Sequence, residues 1–191
     1  MSLNYGLSSD TWDQNEIDAI NRVISSNRYT MGAEVKKFEA ELAAMHGVKH
    51  AVMTNSGSSA NLIMLAALAL HPKYKKVEKP NIVVPAVSWS TTFFPVHQHG
   101  FELKFVDVEL RSFNIDPTQV ENAIDENTVA VFAVNLLGCA ADHDRLSRIC
   151  SEKGVVLLED NCESFGASLD GRLLGSIGEM GTLSFFFSHH L

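Results

Sequence analysis

Val129-Ala130-Val131-Phe132-Ala133-Val134 is apolar at every position. A strand with one wet face alternates apolar and polar residues, whereas a strand buried on both faces in a parallel sheet reads as a continuous apolar run. Upstream, Asn81-Ile82-Val83-Val84-Pro85 and Glu102 to Asp107 read as further strands, and downstream so do Val155 to Asp160 and Gly181 to Phe187. His50-Ala51-Val52-Met53-Thr54 reads as a short strand running into Gly57-Ser58-Ser59. Helical periodicity fills the gaps. It covers 13–26 with Ile17, Ile20, Val23 and Ile24 on one face, and 33–46 with Val35, Phe38, Leu42 and Met45. Helices are also expected at Ala60 to Leu70, Trp89 to His97, Pro117 to Ile124 and Asp144 to Lys153, and Asp170-Gly171 marks a hairpin in Ala167 to Leu174. Alternation of this kind predicts an α/β fold: a mostly parallel sheet flanked by helices.

The 191 residues suit one domain, or one domain plus an arm, and 46% apolar content is ample for a core. Net charge is −8, from 15 basic and 23 acidic side chains. The basic residues cluster no further than the pairs Lys36-Lys37 and Lys75-Lys76, which argues against nucleic acid as a partner. Three scattered cysteines, Cys139, Cys150 and Cys162, fit a reducing, cytoplasmic setting better than a disulfide framework. The longest apolar run, Leu62 to Leu70, is too short to cross a bilayer, so no membrane partner is expected. The chain stops where a site would be completed, and reads as a piece of a longer protein.

Four places along these elements carry candidate chemistry. Asn55-Ser56-Gly57-Ser58-Ser59-Ala60-Asn61 leads into a helix, where free amides, the helix dipole and a glycine admit a phosphate; taken alone it reads more readily as a capped turn. Trp89 lies just beyond the carboxyl end of the Ile82-Val83-Val84 strand, where open α/β sheets bind ligands, and its indole suits a planar ring or a core. Asp160 ends the apolar strand Val155-Val156-Leu157-Leu158. A carboxylate there is either functional or expensively desolvated. Opposite a pyridine nitrogen it would keep that nitrogen protonated and the ring an electron sink. Glu163 follows within reach of the same pocket. For Glu159, Asp160 and Glu163 a solvated loop is the alternative, and a metal is disfavoured because no histidine lies nearby in sequence. Finally, Ser184 sits in an aromatic strand, with His189 five residues on and His190 next to it.

Phosphate turn, acid, then Ser-Phe strand is the order of a pyridoxal-phosphate site. The chain resembles the sugar aminotransferase family of fold type I pyridoxal-phosphate proteins. The resemblance is carried by Met31-Gly32 with Val35 and Phe38-Glu39, by Gly57-Ser58-Ser59-Ala60, Phe105-Val106-Asp107 and Asn114-Ile115-Asp116, and by Asn135-Leu136-Leu137-Gly138 and Glu159-Asp160 with Phe165-Gly166-Ala167. It implies that residues 1–30 form an N-terminal arm and helix, and that 31–191 form an incomplete cofactor-binding large domain lacking its small partner domain. It further implies that Gly57, Ser58 and Ser184 hold the phosphate, that Trp89 stacks on the ring, and that Asp160 pairs with the ring nitrogen. A dimer is implied by the resemblance alone.

Two departures place the chain near a branch of nucleotide-sugar dehydratases. Glu163 replaces the family's usual glutamine, and His189 stands where the aminotransferases carry lysine. Imidazole moves protons but forms no imine, which needs a primary amine. The branch implies a cofactor held non-covalently, cycling between pyridoxal and pyridoxamine phosphate, with glutamate as amino donor. His189 would act as base in removing the 3-hydroxyl of a nucleotide-linked, preferably GDP-linked, 4-keto-6-deoxy sugar. Two competing readings are an iron–sulfur-dependent branch acting on a CDP-sugar, and a non-catalytic regulatory protein that kept the pocket.

Overall fold

A computed structural model describes residues 11–72 and 74–189. Residues 1–10 of the expected arm, and His190, lie outside the described residues. The chain divides into two compact units, Met1–Met53 and Thr54–Leu191.

In the first unit, helix α1 (Gln14–Ser26) starts at a reciprocal capping box. Asp13 Oδ1 accepts the Asn15 amide at 2.7 Å, and Glu16 Oε2 accepts the Asp13 amide at 2.7 Å. Helix α2 (Ala33–His46) ends at Gly47, whose φ of 63° is the left-handed conformation a helix stop favours. Arg22 Nε meets Glu34 Oε1 at 3.0 Å and ties the two helices. The strand expected at His50–Thr54 does not form. A strand needs a neighbouring strand to take its amides, and the Met53 amide donates instead to Glu39 Oε1 at 2.9 Å.

The second unit begins with α3 (Gly57–Leu70), three residues earlier than expected, because Ser56 Oγ caps the Ser59 amide at 3.1 Å. Then come β1 (Asn81–Pro85), α4 (Ser90–Gln98), β2 (Glu102–Val106), α5 (Pro117–Ala123), β3 (Thr128–Val134), α6 (His143–Lys153) and β4 (Val156–Asp160). A small hairpin, β5 (Ser168–Leu169) and β6 (Arg172–Leu173), precedes β7 (Met180–Thr182). The sheet order is β2-β1-β3-β4-β7, parallel throughout. Sequence order reverses between β1 and β3, which is where such sheets open a crevice beyond their carboxyl ends.

The last strand is shorter than the expected Gly181–Phe187. β7 pairs Leu158 with Met180, Glu159 with Gly181 and Asp160 with Thr182. Since β4 stops at Asp160, no neighbour remains for Leu183 onward. The chain turns instead, with the Phe186 amide on Ser184 Oγ at 3.3 Å and the His189 amide on the Phe186 carbonyl at 2.9 Å.

Strand pleating sends alternate residues to two cores. One packs Ile82, Val84, Phe132 and Leu158 against Met64, Leu65 and Leu68 of α3 and Val96 of α4. The other packs Val83, Val131, Ala133 and Leu157 against Val120 of α5 and Leu146 and Ile149 of α6. All seven positions of β3 are buried, as its uninterrupted apolar run predicts. Among the described residues, no helix is long and apolar enough to cross a membrane.

Candidate active site

The alternation that builds the two cores also aims the acids at the end of β4. Asp160 shares the side of Leu158, toward α3 and α4, and is 5% exposed. Its Oδ2 accepts Asn61 Nδ2 and Thr92 Oγ1, both at 2.8 Å, and its Oδ1 accepts the Cys162 amide at 3.2 Å. Three donors offset the desolvation of this charge, and all three are neutral.

Gly57 is the first residue of α3 and is buried. A Cβ there would stand 2.8 Å from Cys162 Sγ and 2.8 Å from Ser184 Cβ, closer than real Cβ atoms approach, so only glycine fits. Ser184, 7% exposed, is thereby set against the helix start, with Oγ 3.1 Å from that same point. Ser58 follows Gly57 and is exposed. The first backbone bond of the helix runs from the Ala60 amide to the Ser56 carbonyl (3.0 Å), so the Gly57 and Ser58 amides precede it, at the end of the helix whose dipole favours an anion. Cys162 is partly buried, and burial, with Asp160 beside it, pushes its thiol well above the ordinary range.

Trp89 occupies the N-cap of α4 and is 71% exposed, its carbonyl taking the Thr92 amide at 3.0 Å. Glu163 Oε2 accepts the amide of Leu137 at 3.2 Å, where Leu137 holds a left-handed φ of 53° in the 3-10 turn after β3. Ser164 Oγ accepts the neighbouring Gly138 amide at 3.0 Å. The fold thus joins the turns that follow β3 and β4. His189 is half-buried and meets the Phe186 ring edge-on, centroids 5.7 Å apart. Gly57, Ser184, Cys162 and Asp160 form one connected group. Trp89 stands at the N-cap of α4, Glu163 bonds the turn after β3, and His189 contacts Phe186, so the bonds of these three lie outside that group.

Glu159 takes the opposite side, with Leu157, and is fully buried. Its Oε1 accepts the amides of Ile177 (2.6 Å) and Gly178 (2.7 Å), and its Oε2 those of Gly175 (2.8 Å) and Asn135 Nδ2 (3.3 Å). His143 Nε2 lies 3.4 Å from Glu159 Oε2 and 2.7 Å from Asn135 Oδ1. Asn135 Oδ1 also accepts the Ala141 amide at 3.1 Å, so Nε2 carries the hydrogen and Nδ1 is left buried without a partner among the described residues. Burial lowers the histidine's pKa, against the raising effect of Glu159.

The sequence does not mark Asn61, Thr92 and Thr182 as neighbours around Asp160, nor does it join Glu159 to Asn135 and His143. One signal was available: Asn61 lies four residues after Gly57, on the same face of α3. The donor set fits pyridoxal phosphate, with amides and a hydroxyl suited to a phosphate and a buried, neutrally solvated carboxylate suited to a protonated ring nitrogen.

The chain is similar to a GDP-4-keto-6-deoxy-D-mannose 3-dehydratase of Yersinia pseudotuberculosis, 49% identical over 99% of this chain and 48% of that protein. Its fold superimposes on a crystal structure of GDP-4-keto-6-deoxymannose-3-dehydratase, a histidine-to-asparagine variant with bound GDP-perosamine, at TM-score 0.93 and 45% identity, covering 98% of this chain and 49% of that one. It matches the Escherichia coli enzyme of that name, solved with bound hydrated PLP, at TM-score 0.91 and 44% identity, covering 100% and 49%. The chain spans about half the length of the curated relatives it matches. The description of the DegT/DnrJ/EryC1/StrS aminotransferase family matches residues 10–191, and the chain belongs to that family.

Proposed function

We propose that the protein to which this chain belongs removes the 3-hydroxyl of a GDP-linked 4-keto-6-deoxy sugar, using pyridoxal phosphate in its pyridoxamine form. The observation that carries the reading is His189, an imidazole at the position where the family's aminotransferases carry lysine, downstream of a pocket built on Asp160 and Gly57. The likeness to the two dehydratases supports it.

Bound there, the cofactor supplies the amine that engages the sugar's ketone and a ring that holds an electron pair. Gly57 and Ser58 bind its phosphate through backbone amides, and Ser184 adds a hydroxyl. Trp89 covers the ring face. Asp160 presents a carboxylate to the ring nitrogen and keeps a proton on it. Glu163 steadies the Leu137 turn at the pocket rim. His189 takes up and releases a proton at a ring nitrogen, the general acid–base work an imidazole performs. Having no primary amine, it forms no bond to an aldehyde, so the cofactor is held non-covalently. Overall, the sugar's C3–O bond breaks and a C3–H bond forms. Glutamate supplies the two electrons, leaving as 2-oxoglutarate and ammonia. The protein acts in the cytosol, where three cysteines stay as free thiols, and as a homodimer.

The test is a mass assay. Full-length protein is incubated with GDP-4-keto-6-deoxymannose, pyridoxal phosphate and glutamate. The expected product lacks one oxygen and gains no nitrogen. A product that gains nitrogen would identify an aminotransferase and overturn the reading.

A further inference from the structure

We propose that Asn61 and Thr92 are positioning residues that turn the Oδ1 edge of the Asp160 carboxylate toward the ring nitrogen of the cofactor. The inference rests on the reading that pyridoxal phosphate occupies this pocket.

An aspartate at a strand end is not self-orienting, because rotation about its last side-chain bond is broad. Here the plane is set from two helices. Asn61, on α3, is 1% exposed and donates Nδ2 to Asp160 Oδ2 at 2.8 Å. Its amide has one workable orientation, since flipping it would set an oxygen against a carboxylate that only accepts. The orientation is pinned from β7, where Thr182 Oγ1 donates to Asn61 Oδ1 at 2.7 Å. Thr92, on α4, is fully buried and donates its single hydroxyl hydrogen to the same Oδ2 at 2.8 Å. The Ser88 hydroxyl, 2.8 Å from Thr92 Oγ1, must then be the donor of that pair.

The two oxygens of Asp160 are therefore unequal. Oδ2 is taken by two short bonds from buried side chains. Oδ1 has one longer bond, from the Cys162 amide at 3.2 Å; the neutral Cys162 thiol also interacts with this carboxylate, which still keeps acceptor capacity for a further donor. None of the three donors is charged, so a cationic donor at Oδ1 completes what the site lacks. A protonated pyridine nitrogen is such a donor.

The experiment reconstitutes full-length wild type, Asn61→Leu, Thr92→Val and Thr92→Ser with pyridoxal phosphate carrying an isotope-labelled ring nitrogen. It measures the nitrogen chemical shift and the cofactor's dissociation constant, with circular dichroism as a check on folding. Wild type should show a protonated ring nitrogen. Asn61→Leu and Thr92→Val should move that resonance toward the unprotonated position and weaken binding about tenfold or more, the scale of a lost hydrogen bond to a charged group. Thr92→Ser keeps the hydroxyl and should restore both. If Asn61→Leu fails to fold, the Thr92 pair decides the matter. Folded variants with wild-type shift and affinity would overturn the positioning role and leave the cofactor reading standing. A wild type that takes up no cofactor would overturn both.

Discussion

Glu159 and Asp160 are consecutive, both buried, and turned to opposite sides of the sheet. Asp160 is bound by side chains of α3 and α4, and Glu159 by the backbone amides of Gly175, Ile177 and Gly178 and by Asn135. The adjacent acids divide the labour, one bonded to the helices α3 and α4 and the other fastening the segment that feeds β7. That segment is tight. A Cβ on Gly181 would run into the Gly175 carbonyl oxygen, and one on Gly178 would lie 2.6 Å from that of Leu157.

Glu159→Gln tests the fastening. The amide cannot accept at both ends, so it sets a donor against buried N–H groups. We expect unfolding free energy to fall by about 2–4 kcal/mol in urea titrations, from charge-assisted bonds worth about 1.5–3 kcal/mol each. Hydrogen exchange at residues 175–182 should speed up more than at β3. Unchanged exchange there would refute the anchoring role.

Gly57→Ala tests the close approach at the start of α3. The added methyl meets Cys162 Sγ and Ser184 Cβ, both at 2.8 Å, and overpacking of this kind costs about 1–3 kcal/mol. Adding Cys162→Ala removes one of the two obstacles and should recover part of the loss. Equal stability of Gly57→Ala and wild type would show that the helix start shifts freely.

His143 predicts an acid-side weakness. Its folded pKa lies below the ordinary histidine value of about 6.5, first because of burial, with Arg172 acting in the same direction and Glu159, Asp142 and Asp144 opposing it. The unfolded chain therefore binds a proton that the folded chain resists. The contribution to stability is full above about pH 6.5 and declines as pH falls toward the folded pKa. Protonation would bury an unpaired Nδ1–H. His143→Gln should flatten the dependence of the urea midpoint on pH between about 6.5 and 5. An identical slope in wild type and variant would assign the acid sensitivity elsewhere.

His189 is tested without turnover by borohydride. Reduction of the full-length holoprotein should leave no cofactor attached, whereas His189→Lys should trap it covalently and shift its absorbance band. His189→Asn should keep cofactor binding and lose dehydration. Normal turnover by that variant would place the base on another residue.

Much of this was legible in the residues, because the parallel sheet declares itself through local pattern. The apolar run of β3, the helical stripes and the Asp170-Gly171 turn each predict their element from near neighbours. The Gly57 turn and Asp160 could be singled out because each sits at an element end. Two expected strands failed for one reason: His50–Thr54 and Leu183–Phe187 have strand-like composition, but a strand exists only where another chain segment takes its amides. His143 was passed over because it lies sixteen residues from Glu159 along the chain, while packing of α6 on the sheet sets them 3.4 Å apart. Local propensity and periodicity, which act over a few residues, determined the elements and the kinds of chemistry they carry. Only the tertiary structure decided which side each acid faces and which donors reach it, since strand ends and helix ends distant in sequence meet only when the sheet is assembled.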